Sequence, residues 1–203
     1  STAADTVTLA IGGSLAISAV ESAIGSSDAD DVLTLLAAAN VAVSAFESVV
    51  GSSATSDSLT LLSEGEISLS DVETLIGTTG TDTATLLSTG TLAVSKVDTV
   101  IGTDGTDTVK MLAGGTVAIT DIERVIGSAS TADVVQMLAD GTLEVSAVES
   151  VVGSADEDAV TMLAAGSLKL SDVETVIGST TLVEVVTLNA GSLLAVSDIN
   201  RSE

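Results

Sequence analysis

The chemistry of this chain lies in carboxylates that recur in step. One acidic column runs Asp5, Asp31, Asp57, Asp82, Asp107, Asp133, Asp158 and Glu184. A second runs Glu21, Glu47, Glu73, Asp98, Glu123, Glu149 and Glu174, with Asn200 in the eighth place. Members of the second column are spaced by 26, 26, 25, 25, 26, 25 and 26 residues. In a stacked repeat, equivalent carboxylates would lie about 4.8 Å apart. They would repel there, more strongly beside a low-dielectric wall, so cations could sit between them. Calcium takes about six to eight oxygens from carboxylates, carbonyls and water. Asp28, Asp30, Asp104, Asp156 and Glu157 could add oxygens from the same loops. The competing role is structural: each Asp accepts backbone N–H bonds from its own loop, as in an Asx turn. The Glu21–Glu174 column reads as a solvent face that blocks lateral aggregation.

Other chemistries are excluded by composition. A hydroxyl column, Ser18, Ser44, Ser70, Ser95, Thr120, Ser146, Ser171 and Ser197, resembles a row of nucleophiles. The chain has no His, and its lysines are only Lys96, Lys110 and Lys169, so no general base is paired with that column. It reads instead as a hydroxyl ladder bonding coil to coil, and the chain is not expected to be an enzyme. The absence of His and Cys removes zinc fingers, haem and iron–sulfur sites. With 29 Asp+Glu against 5 Lys+Arg, the net charge of -24 repels nucleic acid and anionic lipid. The longest charge-free stretches, Thr6–Val20 and Val32–Phe46, are too short to span a membrane. No basic region followed by an apolar one marks a signal peptide at the N-terminus.

The elements that carry these columns follow from two further ones. A glycine column is Gly25, Gly51, Gly77, Gly102, Gly127, Gly153 and Gly178. An apolar column is Leu9, Leu35, Leu61, Leu86, Met111, Met137, Met162 and Leu188. In one unit, Thr83–Leu87 and Thr91–Ser95 alternate polar and apolar residues, the period of half-buried strands. Ser88-Thr89-Gly90 turns between them, and Lys96 marks a corner. Val97–Ile101 is β-branched and strand-like, and Gly102–Thr106 is a Gly/Asp loop.

Three short strands per unit predict an all-β, right-handed parallel β-solenoid of about eight coils. Each coil would be one 25–26-residue unit, and residues 1–203 would form a single repeat domain anchored at Asp5, Asp31, Asp57, Asp82, Asp107, Asp133, Asp158 and Glu184. Zero Pro fits, because each interior strand must donate its N–H groups. A single aromatic, Phe46, means that Val, Ile, Leu and Ala build the core. An alternative has two strands plus a helical turn per coil. Ser18-x-x-Glu21, Ser44-x-x-Glu47 and Ser70-x-x-Glu73 match a capping box, and Val72, Leu75 and Ile76 then share a helical face.

The loops also carry a family likeness. Gly77-Thr78-Thr79-Gly80-Thr81-Asp82-Thr83-Ala84 and Gly102-Thr103-Asp104-Gly105-Thr106-Asp107-Thr108-Val109 resemble the Gly-Gly-x-Gly-x-Asp-x-apolar-x nonapeptide of RTX (repeats-in-toxin) proteins. The Val173–Gly178 segment is similar to those flanking such nonapeptides in large secreted bacterial repeat proteins. The resemblance implies calcium held between coils by Asp82 and Asp107, with Gly77, Gly80, Gly102 and Gly105 supplying the turn; Asp104, a neighbour in the same loop, could add an oxygen. Asp31, Asp57, Asp133 and Asp158 would follow in loops that depart from the nonapeptide. It also implies an extracellular or bacterial cell-surface setting.

Thr-x-Thr pairs at Thr6/Thr8 and Thr83/Thr85 resemble ice-binding faces, and give a minor reading. No polar capping repeat is visible at either end, and the eighth unit stops part-way, so open edges invite strand addition. The functional expectation is a structural repeat protein whose partner is itself. It would stack end to end into a filament, or form part of a surface layer or adhesin stalk. The alternative is a calcium-responsive module of a larger secreted protein.

Overall fold

Strand formation follows the alternating pattern almost residue by residue. In the computed structural model, residues 4–53, 56–179, 183–189 and 195–199 are described. They fall into two units, Ser1–Thr99 and Val100–Glu203. The first holds β1 (Thr6–Thr8), β2 (Ser14–Ile17), β3 (Ser22–Ile24), β4 (Val32–Leu35), β5 (Asn40–Ser44) and β6 (Ser48–Val50). It continues with β7 (Ser58–Leu61), β8 (Gly65–Ser70), β9 (Thr74–Ile76), β10 (Asp82–Leu86) and β11 (Thr91–Ser95). The division falls within β12 (Thr99–Ile101).

The second unit holds β13 (Thr108–Met111), β14 (Gly115–Thr120), β15 (Arg124–Ile126), β16 (Asp133–Met137), β17 (Gly141–Ser146) and β18 (Ser150–Val152). It ends with β19 (Asp158–Met162), β20 (Gly166–Ser171), β21 (Thr175–Ile177), β22 (Glu184–Leu188) and β23 (Ala195–Ser197).

Each unit is a parallel β-solenoid of two facing sheets. In the first, odd-numbered strands pair in the order β1-β3-β5-β7-β9-β11 and even-numbered ones as β2-β4-β6-β8-β10. The second repeats this with β13 to β23 odd and β14 to β22 even. Pairing is in parallel register, as in Asp82↔Gly65 through Leu86↔Leu69.

The parallel solenoid and the three strands per sequence unit are as expected; the coil is not. One coil is two strands, so each 25–26-residue unit winds one and a half coils, and the three-strand coil is corrected to a two-strand one. Two sheets can face each other about 10 Å apart with mid-sized side chains between them. A three-sided coil would enclose a wider interior, which a chain with one aromatic residue lacks the bulk to fill. The core is a double layer of aliphatic side chains, including Leu33, Val41, Val49, Leu59, Leu69 and Leu75 in the first unit and Val109, Val125, Val135, Val151 and Val160 in the second.

The helical turn is also corrected. The residue after each Ser/Thr of the hydroxyl column has φ of 53–55°: Ala19, Ala45, Asp71, Lys96, Asp121, Ala147, Asp172 and Asp198. A left-handed residue reverses the chain where a capping box would have begun a helix. Strand resumes three residues later, as at Thr74–Ile76. Lys96 thus marks a corner as expected. Buried Phe46, Val72, Ile122 and Val148 follow these corners and pin them to the core. Among the described residues no helix is long and apolar enough to cross a membrane.

Candidate functional site: the carboxylate clamps

Three kinds of connection recur in fixed order. A leucine bend follows the first strand of each sequence unit, the left-handed corner follows the second, and the glycine loop follows the third. Strands alternate between two sheets, so connections alternate between two edges. Three kinds shared between two edges means that each edge stacks corner, leucine bend, glycine loop and corner again. Equivalent residues on one edge are therefore three coils, or about 14 Å, apart. The expected 4.8 Å ladders of like carboxylates and hydroxyls do not form. Asp31 and Asp57 lie on opposite edges of the first unit, and Asp31 and Asp82 share an edge three coils apart.

Apart from Asp5, which is exposed, the first acidic column is buried. Asp31, Asp57, Asp82, Asp107, Asp133 and Glu184 are 0 % exposed and Asp158 is 2 % exposed. Each carboxylate accepts hydrogen bonds from its own glycine loop, and several also bind the leucine bend one coil below. Asp57 Oδ2 accepts Ser52 N–H at 2.6 Å and Ser52 Oγ–H at 2.8 Å, while Oδ1 accepts Ala39 N–H at 2.9 Å. Asp82 Oδ2 takes Thr78 N–H and its hydroxyl, at 2.6 and 2.8 Å, and Oδ1 takes Gly65 N–H at 3.2 Å. In the second unit, Asp107 is bound by Thr103, Asp133 by Ser128, Asp158 by Ser154 and Gly141, and Glu184 by Ser179.

The second acidic column completes the clamp from above. Glu47, one coil above Asp31, accepts Asp31 N–H at 2.7 Å, and Glu47 N–H donates back to Asp31 C=O at 3.1 Å. Glu73 does the same for Asp57, Asp98 for Asp82, Glu123 for Asp107, Glu149 for Asp133 and Glu174 for Asp158. These residues are exposed or half-buried, yet each closes a bond between coils, a role that a solvent-face reading missed. The constant Asp-to-Glu offset of 16 residues carried the signal. Sixteen residues is one coil, so the offset joins neighbours on one edge. Asn200, the eighth member, lies outside the described residues.

The glycine column exists because the corner above comes close. A Cβ on Gly51 would stand 1.7 Å from the Asp71 carbonyl oxygen, and one on Gly77 2.0 Å from that of Lys96. The apolar column is core at Leu35, Leu61, Leu86, Met111, Met137 and Met162, whereas Leu188 on β22 is 45 % exposed. The hydroxyl column bonds locally: Ser70 Oγ lies 2.9 Å from Asp71 Oδ2 and 3.4 Å from Ser88 Oγ of the coil above.

Burial of Asp31 pushes its carboxyl pKa up. Hydrogen bonds from Ser26 N–H, Gly13 N–H and the Ser26 hydroxyl outweigh this and hold it below the ordinary value. These donors turn the positive ends of their dipoles on the carboxylate, where a cation would otherwise stand. The calcium candidates Asp31, Asp57, Asp82, Asp107, Asp133 and Asp158 are thus engaged as acceptors, while Asp104 is exposed on the loop of Asp107. Among the described residues, no group of three or more carboxylates is placed to hold a metal ion. The donor set present suits loop capping better than a calcium cage. The Arg124–Glu144 ion pair bridges neighbouring strands in the second unit.

No family model, curated protein or solved structure matches this chain.

Proposed function

We propose that the chain is a structural element, a parallel solenoid of an extracellular or bacterial surface assembly. It extends by adding coils end to end as a filament, or as part of a surface layer or adhesin stalk. One observation supports this reading. Within each unit the coils pair in parallel register and the same carboxylate clamp recurs, as at Asp31–Glu47, Asp57–Glu73 and Asp107–Glu123, so a further coil of the same kind can be added in register. The clamps supply specificity, because an added coil matches only if its carboxylates meet the right N–H groups.

Electron microscopy of the purified chain at micromolar concentration tests the proposal. Unbranched filaments with a 4.8 Å axial repeat are expected. Dispersed monomers from micromolar to millimolar concentration would refute end-to-end assembly.

A calcium-responsive module is the second reading. It draws on the buried acids, which lie beside further carboxylates in their loops. Asp104, Asp156 and Glu157 stand exposed on the same loops. Millimolar calcium should then raise the melting temperature of metal-free protein, and an unchanged melting curve would end this reading.

A further inference from the structure

The connections interlock unevenly. Glycine loop and corner are clamped by carboxylate and backbone, but the junction of a corner with the leucine bend above it leaves a recess. In the first unit one such recess is about 190 Å³. Val43, Phe46 and Leu61 form its floor, and Glu47, Glu64 and Glu66 stand around it. Leu62, on the same bend, is 56 % exposed. The junction recurs as a recess of about 100 Å³ holding Asp71 and Glu73, beside Leu87, which is 57 % exposed. In the second unit the same place holds Asp121, Glu123 and Asp140 beside Leu138, which is 50 % exposed. The exposed leucine beside each of these three recesses is not needed to close the core. The core position is the preceding residue, Leu61, Leu86 or Met137.

We propose that these recesses dock a basic segment of a partner polypeptide, with Lys or Arg interleaved with apolar residues. Charge complementarity selects this occupant. The rims are carboxylate, the chain carries -24, and no Lys or Arg lines any of the three recesses. Lys and Arg lay their aliphatic stems on apolar surface and keep their charge at its rim, which matches a floor of Val43, Phe46 and Leu61 under Glu47, Glu64 and Glu66. The exposed leucines supply apolar contact for the interleaved residues. A second copy of this chain would bring rim against rim with like charge and is disfavoured.

The test uses the full chain with labelled Ile, Leu and Val methyl groups, titrated with an eight-residue peptide of alternating lysine and leucine and followed by NMR. Shifts are expected at Val43, Leu62 and Ile67 and not at Ile24 and Ile76 on the outer sheet face. Salt at 0.5 M should weaken them. The double variant Glu64→Gln and Glu66→Gln should weaken binding at this recess about two- to thirtyfold. It should leave shifts at Leu87 and Leu138 in place, which also confirms that the variant is folded. Shifts spread evenly over the sheet faces, or undiminished at Leu62 in the variant, would overturn the proposal. Shifts at the same methyls on concentrating the protein alone would assign the recess to a second copy and overturn it equally.

Discussion

Removing one buried carboxylate should open one clamp and leave its neighbours closed. Asp57 is the clearest case, since its carboxylate holds Ser52 N–H, Ser52 Oγ–H and Ala39 N–H with no exposure to water. In Asp57→Ala both backbone N–H groups lose their acceptor inside the protein. An orphaned buried donor costs about 1–3 kcal/mol, more when the lost partner was charged. The pair therefore predicts a loss of about 3–5 kcal/mol, softened where water enters. Asp57→Asn keeps one acceptor oxygen but turns an NH₂ group toward a donor, and should cost about 2–3 kcal/mol. Glu73→Gln keeps the oxygen that accepts Asp57 N–H at 2.7 Å and should cost under about 1 kcal/mol. Repeat proteins open locally, so a single unfolding curve can hide the effect. Amide hydrogen exchange is the assay. The Ala39 and Ser52 amides should lose protection in Asp57→Ala, while the Thr78 amide, held by Asp82, keeps it. Equal protection of Ala39 and Ser52 in wild type and Asp57→Ala would refute the clamp account.

Three further outcomes follow from the same geometry. Gly51→Ala puts a methyl 1.7 Å from the Asp71 carbonyl oxygen, so coils must part; a loss of at least about 2 kcal/mol in urea unfolding followed by far-ultraviolet circular dichroism is expected. The lowered pKa of Asp31 means that its contribution to stability is complete at neutral pH, starts to fall as pH drops through about 4, and is lost below its folded value. Asp31→Asn should flatten that part of the urea-midpoint profile, and an unchanged profile would refute the assignment. Deleting residues 57–81, one sequence unit, joins Ser56 to Asp82 and keeps the order of connections on both edges, so the shortened chain should retain its circular dichroism spectrum and a cooperative melt. Deleting residues 57–73, about one coil, brings Thr74 where Asp57 was and places unlike connections against each other, so it should not fold.

Strands, repeat, loop capping by the acidic column and the corner were legible because each depends on local residue type. Alternation marks strands, and Gly51 and Asp57 stand where a loop must be tight and capped. The coil was not legible, because it depends on which strands face each other. Nothing in a 25–26-residue period says whether three strands close a coil or run half a coil past it. The information was nonetheless present in the offset between columns. Asp31 to Glu47, Asp57 to Glu73 and Asp82 to Asp98 are all 16 residues apart, and partners in a clamp must sit one coil apart. Sixteen residues against a 25–26-residue unit gives close to one and a half coils. The same ratio explains how buried acids are tolerated. With three connection types shared between two edges, no carboxylate stacks on its own kind. About 14 Å between equivalents on one edge exceeds the screening length at physiological salt. A unit winding a whole coil would stack Asp on Asp at about 4.8 Å and would need a cation between each pair. A unit winding one and a half coils lets the N–H groups of neighbouring connections do that work.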